Sequence, residues 1–170
     1  MGVFFQFDAV DTFTTTVVGR PGQRTFFLQV RDGETQLVVK CEKQQAASIA
    51  EYLRKVLHDL PAPSDKPTNA ALELRSPIDT VFVLGPIGLG YDKENDRLLV
   101  QLEELVPVDE SGVPDPEAVE DRGHIRLFLR RGQALAFCEH TESVVSAGRP
   151  PCTFCGRPLN PDGHLCPKMN

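Results

Sequence analysis

Twice along this chain a run of alternating apolar residues stops and a stripe of helical period takes over, and this repeated switch constrains the fold more than any other feature. In the first instance Arg24–Arg31 alternates, with Phe26, Leu28 and Val30 on one face and Phe27, Gln29 and Arg31 on the other. Asp32-Gly33 has the composition of a tight hairpin, and Gln36–Cys41 returns with Leu37, Val39 and Cys41 on one face. From about Lys43 to Asp59 the apolar positions become Ala46, Ile49, Ala50, Leu53, Val56/Leu57 and Leu60, the stripe of an amphipathic helix ended by Pro61 and Pro63. In the second instance Ile125, Leu127 and Leu129 share one face of His124–Arg130. A helix over about Gly132–Ala147 follows, with Ala134, Phe137/Cys138, Thr141 and Val144/Val145 in line and Gly148 as its C-cap. A Gln-Ala pair opens each helix, Gln45-Ala46 and Gln133-Ala134, so the chain reads as a duplicated unit of several strands and one helix.

The remaining segments fit that reading. Val3–Asp8 and Thr12–Val18 are rich in Phe, Thr and Val and are expected as strands, with a turn at Arg20-Pro21-Gly22. Ile78–Leu84 is a strand, continued through the glycine-broken stretch Gly85–Gly90. That stretch lacks the spacing of a dinucleotide loop and precedes a strand, so a bent or bulged strand is expected. A charged turn at Asp92–Asp96 leads into the strand Arg97–Val106, and an acidic loop covers Pro107–Asp121. The two units, about residues 1–60 and 78–148, flank a linker over Pro61–Pro67 that is expected on the surface. Together they predict an α+β domain over 1–148, with a curved, mainly antiparallel sheet and helices on one face, and a short knuckle-like C-terminal segment, 149–170.

That segment carries three of the five cysteines. Cys152-Thr-Phe-Cys155-Gly156 has the spacing that aims two thiolates at one metal ion, and a turn at Asn160–Gly163 brings back His164 and Cys166. Three sulfurs and one imidazole complete a tetrahedral structural zinc (Zn2+) site. The fourth ligand is the less regular one, and His140 on the preceding helix is an alternative to it. Redox C-x-x-C pairs open a helix, whereas proline, glycine and asparagine surround this one. Cys41 and Cys138 fall on apolar stripes and read as core thiols. His58, near a helix C-terminus, reads as a dipole contact.

Net charge is −6, but its distribution is uneven. Residues 1–60 carry seven basic and seven acidic side chains, residues 61–121 four against fourteen, and residues 122–170 seven against three. Bulk charge thus argues against nucleic acid for the whole chain but not for its basic end. There His124, Arg126, Phe128 and Arg130 share the outer face of one strand. Cations flanking an exposed Phe128 would make a platform for single-stranded nucleic acid; tucked under a loop, the same residues are an ordinary strand face. No apolar run reaches the ~18 residues of a membrane span, and the start MGVFFQFD has no signal-peptide pattern.

Gly19–Gln29, Glu42–Gln45 and the block Gly148–Leu159 with Gly163–Pro167 resemble an uncharacterised protein family, a domain of unknown function found mainly in actinobacteria. The resemblance implies a cytoplasmic bacterial protein, with Cys152, Cys155, His164 and Cys166 in the family's C-terminal motif. It also implies a gene often near those of a histidine-type phosphatase and a kinase-like protein, either of which is then a candidate protein partner. The expected function is a non-enzymatic, zinc-binding adaptor module. The alternatives are a single-stranded nucleic-acid binder and, below it, a zinc hydrolase.

Overall fold

The alternating segments form seven strands: β1 (Phe4–Phe7), β2 (Thr12–Val18), β3 (Thr25–Asp32), β4 (Thr35–Cys41), β5 (Thr80–Asp92), β6 (Arg97–Glu104) and β7 (His124–Leu129). The helical stripes form α1 (Lys43–His58) and α3 (Arg131–Ser146), and a short α2 (Pro116–Glu120) lies in the acidic loop. This computed structural model describes residues 2–148, 150–159 and 163–169. All seven strands belong to one α+β sheet, ordered β1-β7-β6-β5-β4-β3-β2. Neighbours are antiparallel except β1 with β7 and β4 with β5.

Those two parallel pairs reveal how the duplicated units interlock. β5 serves two partners: Thr80–Val83 runs beside β4, while Leu84 and, beyond an irregularity, Ile87–Asp92 pair antiparallel with β6. β1 and β2 divide the same task, β1 running beside β7 and β2 pairing with β3, with the break at 8–11. The first strand of each unit therefore crosses to the last strand of the other. Continuity also bends the sheet. Seven strands laid flat would hold the edges about 29 Å apart. The five Cα steps from Phe7 to Thr12 reach at most about 18 Å. The sheet must roll, and its two edges are joined through the chain rather than by a ladder.

Both helices begin with the same latch. The third residue of α1, Gln45, accepts from the Glu42 backbone N–H through Oε1 at 2.9 Å and donates through Nε2 to the Leu84 and Gly85 carbonyls, both at 3.1 Å. The third residue of α3, Gln133, accepts from the Arg130 N–H at 3.0 Å and donates to the Val10 carbonyl at 2.7 Å. Each glutamine binds carbonyls at the break in the other unit's first strand, where the register is interrupted. Between the helices, the Cys138 thiol donates to the Ala50 carbonyl at 3.3 Å, and Arg54 pairs bidentately with Glu142 at 3.0 and 2.6 Å. Each pair joins residues 88 apart, the separation of Gln45 and Gln133. Equivalent residues meeting each other is what an internal two-fold axis requires.

Apolar side chains of the strands and both helices fill the roll. Leu28, Leu98, Leu102, Ile125 and Leu127 from the strands meet Ile49, Leu53 and Phe137 from the helices, and Phe13 stacks on Phe137 with ring centroids 4.5 Å apart. The Pro61–Pro67 linker has no buried residue, in line with the surface position expected of it. Beyond it, where no element is expected from the sequence, the chain forms a turn of 3-10 helix at Asn69–Leu72, with Leu72 buried, and covers the outer face of β2 and β3. That face is polar: Thr14, Gln29 and Arg31 are buried and donate to the carbonyls of Leu72, Arg75 and Ala71. α2 interrupts a stretch expected as a loop, and Asp115 followed by Pro116 is its N-cap and first-turn signature.

Because each latch serves buried or half-buried backbone groups, Gln45→Ala and Gln133→Ala are each expected to lower unfolding free energy by about 1–3 kcal/mol. The exposed Gln44→Ala should stay within about 0.5 kcal/mol. Equilibrium urea denaturation distinguishes these outcomes.

Candidate metal centre

Beyond α3 the chain has little apolar material to pack, and its local structure comes from turns. The Cys152 N–H donates to the Arg157 carbonyl at 2.7 Å, the Gly156 N–H to the Cys152 carbonyl at 2.9 Å, and the Leu159 N–H to the Pro150 carbonyl at 2.8 Å. These bonds fold Cys152–Arg157 into a knuckle. Gly156 adopts φ of +73°, which a β-carbon disfavours, so glycine directly after the second cysteine is a geometric requirement. The expected turn over Asn160–Gly163 falls mostly on 160–162, which lie outside the described residues; Gly163 itself has φ of +83°.

His164 and Cys166 return to the knuckle. One ligand atom from each of Cys152, Cys155, His164 and Cys166 lies within 4.8 Å of all the others. The Cys152 and Cys166 sulfurs are 3.9 Å apart, and the Cys155 sulfur is 3.4 Å from His164 Nε2. With zinc–sulfur bonds of about 2.3 Å, a tetrahedron has sulfur–sulfur edges of about 3.8 Å. The donor set and these edges fit such an ion. Cys152 and Cys166 are buried, and Cys155 and His164 half-buried. Backbone N–H groups of Cys155 and Phe154 aimed at the Cys152 sulfur hold its thiol below the ordinary range, favouring a thiolate, while desolvation pushes Cys166 up. A cation among them would favour thiolate throughout.

The structure thus brings all four expected ligands together and leaves the alternative outside. His140 Nε2 is 2.8 Å from the Thr15 carbonyl, at the contact between α3 and β2. Cys41 and Cys138 are core thiols, each pushed up to about 12, chiefly by burial. The nucleic-acid platform is corrected. Phe128 is only 8% exposed, because the Arg97 guanidinium lies 3.7 Å from its ring centroid, itself held by Asp92 at 3.0 Å. Arg126 is also over that ring, at 5.6 Å, and Arg130 precedes α3 and pairs with Asp65 at 2.9 Å. Sequence reasoning passed over the apolar residues beside the ligands: Phe154 is 58% exposed and Leu165 96%. The available signal was large hydrophobics in a segment too short to bury them.

The family described as "Protein of unknown function (DUF3090)" matches residues 5–166. No curated protein and no solved structure matches the chain. No helix among the described residues is long and apolar enough to cross a membrane.

Burial and thiol acidity separate the cysteines into two classes. At pH 8 a thiol with a pKa of about 12 is ionised to roughly one part in ten thousand. Thiol titration of the native, metal-free protein is therefore expected to modify Cys152, Cys155 and Cys166, with Cys41 and Cys138 reacting only after denaturation. Reaction of Cys41 or Cys138 at the rate of the tail thiols would contradict this division.

Proposed function

The chain belongs to this family of proteins of unknown function, which confers no activity, and we propose from the geometry of the tail that it is a metal-stabilised binding module. The observation that carries this reading is the clustering of four soft and borderline donors in a segment whose large apolar side chains, Phe154 and Leu165, face solvent. Zinc is the ion that a Cys3His set most simply takes, and four protein donors make a closed, structural site rather than one with a position for water. Cys152, Cys155, His164 and Cys166 would hold it, supplying through coordination the stability that a tail of this size cannot draw from a core. Phe154, between the two knuckle cysteines, and Leu165, between His164 and Cys166, would form an anchor for a protein partner, since a few residues dominate most interfaces. A cytoplasmic, reducing setting keeps the three thiols available as ligands.

The purified chain is expected to contain one zinc ion by elemental analysis. Chelation should expose the amides of the tail to hydrogen exchange while the sheet remains protected. A metal-free chain with a protected tail would refute the metal assignment. Affinity capture from the source cell then tests the surface. Wild type should retain a protein partner that Leu165→Asp and Phe154→Asp both lose with zinc still bound; equal recovery by all three would reject it.

A further inference from the structure

Sulfur is divided between the two parts of this chain. Cys41 and Cys138 are buried in the core of the body, where the Cys138 thiol donates to the Ala50 carbonyl. The other three thiols crowd one point of the tail, and they are not equivalent there. The Cys152 and Cys166 sulfurs face each other at 3.9 Å, while the Cys155 sulfur faces His164 Nε2 at 3.4 Å. Four donors thus resolve into a sulfur–sulfur pair and a sulfur–imidazole pair.

The sulfur–sulfur pair links the knuckle to the returning segment rather than the two arms of the C-x-x-C. A disulfide holds its sulfurs about 2.05 Å apart, so closing this pair takes an approach of about 2 Å. No helix or strand lies among the described residues between them, and no strand of the sheet includes either cysteine. Backbone N–H groups of Phe154 and Cys155 are aimed at the Cys152 sulfur and keep it turned into the cluster. Cys155 is half-buried and Leu165, next to Cys166, faces solvent, so a small oxidant reaches the cluster without crossing a packed core.

We infer that the tail is a redox-sensitive metal site, in which peroxide joins Cys152 to Cys166, the ion leaves and Cys155 remains a thiol beside His164. The inference rests on the metal-stabilised reading of the tail. One thiolate of the pair attacks an oxygen of hydrogen peroxide; the O–O bond breaks, hydroxide leaves and the sulfur becomes a sulfenic acid. The second thiolate attacks that sulfur and displaces a second hydroxide. Two electrons pass from the two sulfurs to the two peroxide oxygens. The ion keeps only one thiolate and one imidazole of its four protein ligands, and it departs to water. Phe154 lies between Cys152 and Cys155, and Leu165 between His164 and Cys166. Each apolar side chain therefore keeps one tethered neighbour and loses the other, which loosens the partner surface while the loop stays closed.

Hydrogen peroxide added to the full, zinc-loaded chain tests this, read by a zinc-sensitive dye and by peptide mapping without reduction. Release of the zinc is expected together with a disulfide between Cys152 and Cys166, and with Cys155 still open to alkylation. Reduction by a dithiol should restore zinc binding in full. Cys155→Ser should form the same disulfide whether or not that variant holds zinc. A Cys152–Cys155 disulfide, release accompanied only by sulfinic or sulfonic acids, or zinc retained under peroxide that oxidises a small free thiol overturns the switch. Each of these results leaves the metal site standing. A chain that takes up no zinc at all refutes the metal reading, and the switch with it.

Discussion

Interrupted ladders are the weak point of a sheet built from two interlocked units, and the paired glutamine latches are what make this architecture tenable. A strand that leaves one partner for another must bend, and at the bend its ladder register is interrupted. In both units the helix that follows the last strand starts close enough for its third residue to reach that bend. Only a side chain that accepts and donates at once can close the helix start and satisfy the bend together, and glutamine does both. These two anchors tie the starts of both helices to the sheet, and the Cys138 thiol meets the Ala50 carbonyl between the helices on the internal axis.

Departures from the internal symmetry are where the two halves acquire different chemistry. The linker between the units covers one polar outer face and places Asp65 on the start of α3, beside the N-cap Arg130, whereas the N-cap of α1 is itself a carboxylate, Glu42. The tail follows α3 and has no equivalent after α1, where the chain becomes the linker instead. Arg54 and Glu142 stand at equivalent positions with opposite charge, which turns a like-charge contact across the axis into an ion pair. Both partners are substantially exposed, so the pair sets the alignment of the helices more than it stabilises them.

What could be read from the sequence was whatever depends on local period and spacing. Alternation located the strands, the 3.6-residue stripe located both long helices, and Gln45-Ala46 against Gln133-Ala134 gave the register of the duplication, which the two latches reproduce. The four tail ligands were legible because coordination leaves a spacing signature. What failed depended on partners distant in sequence. Alternation puts Phe128 on the outer face, and it lies there, but nothing local announces that Arg97 from the neighbouring strand covers it. The parallel pairings were likewise invisible, since a strand's own pattern does not distinguish a parallel neighbour from an antiparallel one. The ordered linker was missed because its partners are the polar side chains of another segment rather than an apolar stripe.

The tail and the body are stabilised by different physics, and this bears on how they act together. In the body, strands from both units enclose one core, so stability is shared cooperatively across the interlocked sheet. In the tail, Leu165 and Phe154 remain in water while the ligand atoms gather inside, the inverse of a hydrophobic core. On the reading of the tail as metal-stabilised, loss of the ion would release it without demanding that the sheet open.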